Sequence, residues 1–190
     1  MAFTLTDFKS NLFAANVSGG ARPSLFKITI SDSSNEYSLN STESILVKAA
    51  NIPAANIAAL PVNYAGRAYK MTGFRTYDPW TVTIINDENF DIRVKIMEWM
   101  TRLAGDLDGT RSSYFGQTNT SGEATVTQVD ANGNDVHTYK FYNLWPTELG
   151  EIALDWSSDA IEEYTCTWAY DYWSHGKNQE DYSSFIPPQS

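Results

Sequence analysis

Cysteine is almost missing from this sequence. Cys166 stands alone among 190 residues, which excludes an internal disulfide and any multi-cysteine metal site. Base is scarce as well: 13 Lys and Arg against 23 Asp and Glu give a formal net charge of −10. A tight phosphate-gripping surface needs clustered cations that neutralise phosphates and release counterions, and this balance argues against one. No apolar run approaches the ~20 residues of a membrane-crossing helix. The N-terminal stretch carries Asp7 and Lys9 and lacks a basic region followed by a long apolar one, so no cleaved signal peptide is expected. Motifs for phosphate cradling (GK[ST]), acyl transfer (GxSxG) and zinc hydrolysis (HExxH) are all missing.

What is present is apolar and aromatic. Hydrophobic residues make up 42% and aromatics 14%, enough for one domain with tails. The organisation expected is an arm over 1–21, a domain over 22–173 and a polar tail over 174–190, with an apolar anchor at Phe185-Ile186. Phe8, Leu12 and Phe13 make one short helical stripe in the arm, stopped by Gly19-Gly20. Strands are predicted at Leu25–Ile30, Ser44–Ala50, Arg67–Thr72 and Trp80–Ile85. Asn51–Ala65 contains Pro53 and Pro61, which argue against a regular central strand, so this segment is read as a long ordered loop with short extended pieces, of the kind that carries function. A turn at Gly73, Asp78 and Pro79 joins the third and fourth strands.

The clearest helix spans about residues 89–104, capped by Asn86 or Asp87 and ended by Gly105. Its expected core stripe is Phe90, Val94, Met97 and Ala104, widened by Met100 and Leu103. Ile92 and Trp99 then fall outside it and suggest a second covered face. A polar loop over 107–122 precedes a hairpin, Ala124–Val129 with Val136–Asn143, turned by Asn132-Gly133. Pro146 is expected to end its second strand and Gly150 to break the next stretch. Glu163–Trp173 alternates strongly, with large groups on both faces, as a strand without a wet side would. There is no internal repeat. The fold class is mainly β (α+β): two packed antiparallel β-sheets with one main α-helix.

Each hint of chemistry has a simpler reading. Asp130-x-Asn132 opens like a calcium loop, but Asp135 and Phe141 stand where Gly and Glu are required, so turn chemistry explains it better. Asp106–Gly109 fails in the same way. His137 and His175 lack ligand spacing, and Cys166 reads as a small buried filler. Glu148, Glu151 and Asp155 would suit a glycoside hydrolase only in a cleft, and in an acidic chain they read as a solvated face. Outside Arg67–Trp80 the aromatics lack the interleaved bases of a nucleic-acid stacking platform, so core or interface packing is preferred to sugar or single-strand binding.

Three aromatic-rich phrases narrow the reading. They are GFRTYDPWTVTIIND (Gly73–Asp87), LWPTELGEIALDW (Leu144–Trp156) and TWAYDYW (Thr167–Trp173). In colinear order, over roughly Arg22 to Trp173, they closely resemble the tail tube protein family of T4-like contractile-tailed bacteriophages. The resemblance implies two packed sheets flanked by a helix, six subunits per ring, inner strands joined into one β-barrel, and rings stacked inside a contractile sheath. It implies no catalysis, cofactor or metal. It implies a homo-hexamer with sheath, baseplate and tail terminator as partners, no membrane anchor, and a place in the virion after synthesis in the host cytoplasm. Genomic DNA would pass down the lumen without specific binding, and a surplus of acids lining that lumen would repel phosphates.

On that reading the Asn51–Tyr64 loop is expected between rings and Arg67–Asp78 in charged subunit contacts. The interface set is Asn51, Pro53, Asn56, Pro61, Tyr64, Arg67, Lys70, Arg75, Asp78, Trp80 and Trp99. The core of the family phrases is Trp145, Pro146, Gly150, Trp156, Tyr172 and Trp173. The N-terminal arm, the 110–122 region and the tail set this chain apart from shorter members. Three other readings compete: another tube-fold tail component, such as a terminator or baseplate-proximal ring; a carbohydrate-binding β-sandwich using its Trp residues; and a hydrolase using Glu148 or Glu151.

Overall fold

Apolar side chains alternate through most strands of the fold, and the alternation points one face of each inward. In the computed structural model, which describes residues 4–12, 20–105 and 121–176, Ile28 and Ile30 of β1 (Phe26–Asp32) and Ala124 and Val126 of β6 (Gly122–Val129) are buried. So are Trp80, Val82 and Ile84 of β5 (Trp80–Ile85) and Tyr164, Cys166 and Trp168 of β8 (Glu163–Ala169). With β2 (Val47–Ala50), β7 (Asp135–Leu149) and β9 (Tyr172–Gly176) they form one antiparallel sheet in the order β1-β6-β7-β8-β5-β2, with β9 also beside β7.

Strand β7 folds that sheet into two layers. Its first half, Thr138–Tyr142, pairs with β9, and its second half, Trp145–Leu149, pairs with β8. Asn143, between them, has φ of 55°, a conformation that Asn tolerates better than most residues. Its amide donates to the carboxylate of Asp171, which with Tyr170 separates β8 from β9, and the Asp171 N–H donates to the Tyr142 carbonyl at 3.2 Å. Both strands therefore bend at one place. The layers close on a single core in which Trp80 of one stacks on Phe141 of the other at 4.6 Å between centroids.

Helix α3 (Asp91–Ala104) covers this core with Ile92, Ile96 and Trp99. Its first N–H bonds the Asp87 carboxylate at 3.2 Å, and the Gly105 N–H closes its end on the Thr101 carbonyl. Arg93 donates to the Gly150 carbonyl at 3.0 Å, Lys95 meets Glu43 at 2.6 Å, and Arg102 meets Glu36 at 3.2 Å. Glu43 belongs to a short helix α2 (Ser41–Ile45), held by a capping box with Asn40. The arm carries helix α1 (Leu5–Leu12), whose Leu5 and Phe8 stand in solvent.

Asp32 organises the turn after β1. It accepts the N–H of Ser34 and of Tyr37, each at 3.0 Å, and the hydroxyls of Ser34 and Ser38. Burial opposes its charge, but these bonds outweigh burial and hold the carboxyl below its ordinary range. A depressed folded value means stability that is present above the unfolded pKa of ~3.9 and lost as pH falls through the folded one. Asp32→Asn is expected to lower stability by about 2 kcal/mol at pH 7. The gap to wild type should narrow in urea titrations carried below pH 3.

Several expectations are corrected. Asn51–Ala65 is a loop only over 51–55; the rest is not short extended pieces but a regular strand, β3 (Asn56–Tyr64), paired with β4 (Arg67–Thr76) as a separate two-stranded ribbon. Pro61 is tolerated because a two-stranded ribbon has only edges. Strand β4 runs through Gly73 to Thr76, and the register shift beside Ala58 needs Gly73, where a Cβ would lie 2.8 Å from the Ala58 carbonyl. Pro146 does not end β7; it sits at a register shift where the ladder needs no N–H. Ser44 and Ile45 belong to α2, not to the second strand. The long alternating strand breaks at Tyr170–Asp171, and β9 continues past Trp173 to Gly176.

Helix α3 is turned from the orientation expected, although Met100 and Leu103 of the expected stripe do pack against the core. Val94 and Met97 are about half exposed, while Ile92, Ile96 and Trp99 form the buried stripe. Both stripes have helical spacing, and the larger contact area of Trp99 decides between them. Phe13, Gly19, residues 106–120 and Phe185-Ile186 lie outside the described residues.

Candidate assembly surface

The β3–β4 ribbon is the most unusual surface of the chain. All nine residues of β3 and nine of the ten in β4 are exposed. Tyr64-Ala65-Gly66-Arg67 makes its tip, with φ of 50° at Ala65 and 77° at Gly66, as a tight two-residue hairpin demands. Directly paired residues share a face, so Leu60 with Met71, Val62 with Tyr69 and Tyr64 with Arg67 form one broad apolar face ending in a cation. The other face holds Ala59, Pro61, Asn63, Ala68, Lys70 and Thr72, which are small or polar.

An isolated two-stranded hairpin is marginal in water, and contiguous apolar surface of this kind marks an interaction site. Among the described residues the ribbon is tied down at its base. The Asn56 amide bonds the Asp78 carboxylate, and the Arg75 guanidinium lies over the Trp173 ring at 4.8 Å.

The structure gathers most of the expected interface residues here. Pro61, Tyr64, Arg67 and Lys70 are on the ribbon, and Asn51, Asn56, Arg75 and Asp78 surround its base in exposed positions, with Pro53 half-buried. Two do not belong. Trp80 is 2% exposed and donates to the Asn51 carbonyl at 2.8 Å, and Trp99 is 1% exposed with its ring 5.5 Å from that of Trp168. Neither presents a surface to a neighbour.

In the family phrases, Pro146 and Trp173 are buried, and Trp145 and Tyr172 are partly so. At Gly150 a Cβ would stand 2.8 Å from the Thr165 hydroxyl. Trp156 lies fully in solvent on the segment between β7 and β8, with Leu154 and Ile161, and so takes no part in the subunit core.

The apolar face itself, with Leu60, Val62, Tyr69 and Met71, is absent from the expected set. Its signal was alternation on both sides of Ala65-Gly66, which the prolines obscured. A second clue is charge. Residues 51–77 contain Arg67, Lys70 and Arg75 and no acid, in a chain of net charge −10.

The groups considered for catalysis are differently placed. Glu148, Glu151 and Asp155 are exposed. Bonds from the Ser157 N–H and hydroxyl hold Asp155 below its usual range, the reverse of what a general acid requires. Asp130 accepts the N–H of Asn132 and Asn134 within the hairpin turn. Burial pushes the Cys166 thiol up to about 12 against the pull of Arg93, so it is a poor nucleophile. A thiol reagent should therefore leave Cys166 unmodified in the folded chain and label it fully in denaturant; fast labelling of the native protein contradicts its placement. Among the described residues no three His, Cys, Asp or Glu side chains converge to hold a metal, and no helix is long and apolar enough to cross a membrane.

Comparison with known proteins matches residues 8–176 to a family described as phage tail tube protein. The chain is 33% identical over 158 residues to tail tube protein gp19 of Enterobacteria phage T4, covering 80% of this chain and 90% of that one. It is 26% identical over 175 residues to a tail tube protein of Serratia phage KSP90, covering 88% and 94%. The fold resembles a chain in the baseplate of the anti-feeding prophage, with a TM-score of 0.64 at 10% identity over 84% of this chain and 97% of that one. It also resembles a chain of the sheath/tube terminator of an extracellular contractile injection system, with a TM-score of 0.62 at 14% identity over 84% and 99%. At those identities the structures speak for the fold alone.

Proposed function

Because this chain belongs to the phage tail tube protein family, we propose that it is the repeating subunit of the inner tube of a contractile phage tail, with six copies closing each ring. Rings stack into a conduit within the sheath, between baseplate and terminator, and the genome leaves through the lumen. The subunit is structural and carries no catalytic role. The observation that supports this best is the free-standing ribbon, whose apolar face no described residue of the chain covers.

Two further features fit. Strands β1 and β2 are the end strands of the folded sheet, and they flank one groove lined by Phe26, Ile28, Ile45 and Val47. Unpaired edges are an aggregation hazard that closure into a ring removes. The excess of acid suits a lumen that duplex DNA must pass without adsorbing, since like charges repel within the screening length. Identity to tail tube proteins favours the main tube over a terminator or a baseplate-proximal ring, for which the likeness is one of fold.

Electron microscopy of the purified chain at high concentration tests the reading. Sixfold annular particles or tubes with a hole that admits duplex DNA are expected. Monomers at every concentration would contradict it.

A further inference from the structure

A second surface of the chain complements the ribbon. Between β7 and β8, residues 151–162 carry Glu151, Asp155, Asp159 and Glu162 and no base. The same stretch exposes Leu154, Trp156 and Ile161, three of the more exposed large apolar side chains among the described residues. It is thus acidic and apolar at once, while the ribbon is basic and apolar. Within the subunit, no described acid pairs with Arg67 or Lys70. The two cations lie towards the ribbon tip, away from Asp78 at its base.

Resting on the tube reading above, we propose that the ribbon of one subunit docks on the 151–162 segment of a second copy. Its face of Leu60, Val62, Tyr69 and Met71 covers Trp156 and its apolar neighbours, Arg67 at the end of that face meets the surrounding carboxylates, and Lys70, on the other face, adds positive charge at the rim. Opposite charge at the rim sets register and speeds encounter, while the buried apolar patch supplies most of the affinity. A second copy is the occupant because both halves of the match lie on the same chain. A donor and an acceptor at different places make a head-to-tail contact, and such contacts propagate into rings or open stacks.

Charge reversal tests this. Arg67→Glu with Lys70→Glu should raise the concentration needed for assembly by about tenfold or more, and so should Glu151→Lys with Asp159→Lys. All four are exposed and Glu151 and Asp159 make no bond that holds the fold, so melting temperatures should stay near wild type. Combining all four substitutions should bring assembly back towards the wild-type concentration. Independently, Tyr69→Cys with Trp156→Cys should give intersubunit disulfides in assembled material and none in dilute monomer, since Cys166 is buried.

Wild-type tubes, with neither rescue nor crosslink in the variants, would overturn this contact and leave the tube reading standing. A wild-type chain that never assembles would overturn both.

Discussion

Trp99→Ala is expected to destabilise the folded chain by about 3–5 kcal/mol, the largest effect of any single truncation. Trp99 is 1% exposed, and its ring lies against Trp168 of β8 at 5.5 Å. Its far edge fills the space left by Gly122, where a Cβ would come within 2.7 Å of Cη2. Removing the indole leaves a cavity bounded by a helix and two strands that other contacts hold in place, so the site cannot collapse to fill it. Native domains hold only about 5–15 kcal/mol in total, and the variant should be close to the limit of folding. Urea denaturation followed by far-UV circular dichroism measures the loss. A loss below about 1 kcal/mol would mean that α3 is anchored by Arg93, Lys95 and Arg102 and not by this side chain.

Val62→Asp with Tyr69→Asp should abolish assembly while leaving the subunit folded. The two residues pair across the ribbon on its apolar face and are exposed in the subunit, so little folding stability depends on them. Substitutions at such positions usually stay within about 0.5 kcal/mol. In the assembly the same positions would be buried, and two carboxylates there would face desolvation without partners and repel each other. Sedimentation should find no large particles at concentrations where wild type pellets, with an unchanged melting curve. Normal tubes from this variant would show that the apolar face remains open to solvent in the assembly.

Much of the fold was legible because local patterns agree with it. Strands β1 and β5, the Asn132-Gly133 turn and the existence and end of α3 follow from alternation, turn chemistry and Gly105. What escaped notice depends on partners remote in sequence. Pro61 and Pro146 argue against strands in general, but one lies on a ribbon that is all edge and the other at a register shift. The bend at Asn143 and Asp171 needs both strands at once. Helix α3 has apolar residues on two faces, and only packing determines that Trp99 faces inward.

The candidate surface was legible by charge and length, which point to residues 51–78. The tryptophans misled, because Trp suits a domain core and a subunit interface equally well. Trp80 and Trp99 proved internal, whereas Trp156 is the one in solvent.

Hydrogen exchange of the ribbon amides, in dilute monomer and in assembled material, tests the central claim most directly. Residues 56–76 should exchange fast in the monomer, because a two-stranded ribbon with no cover opens readily. They should become strongly protected on assembly. Equal, rapid exchange in both states would mean that no neighbour covers the ribbon, and would contradict the account.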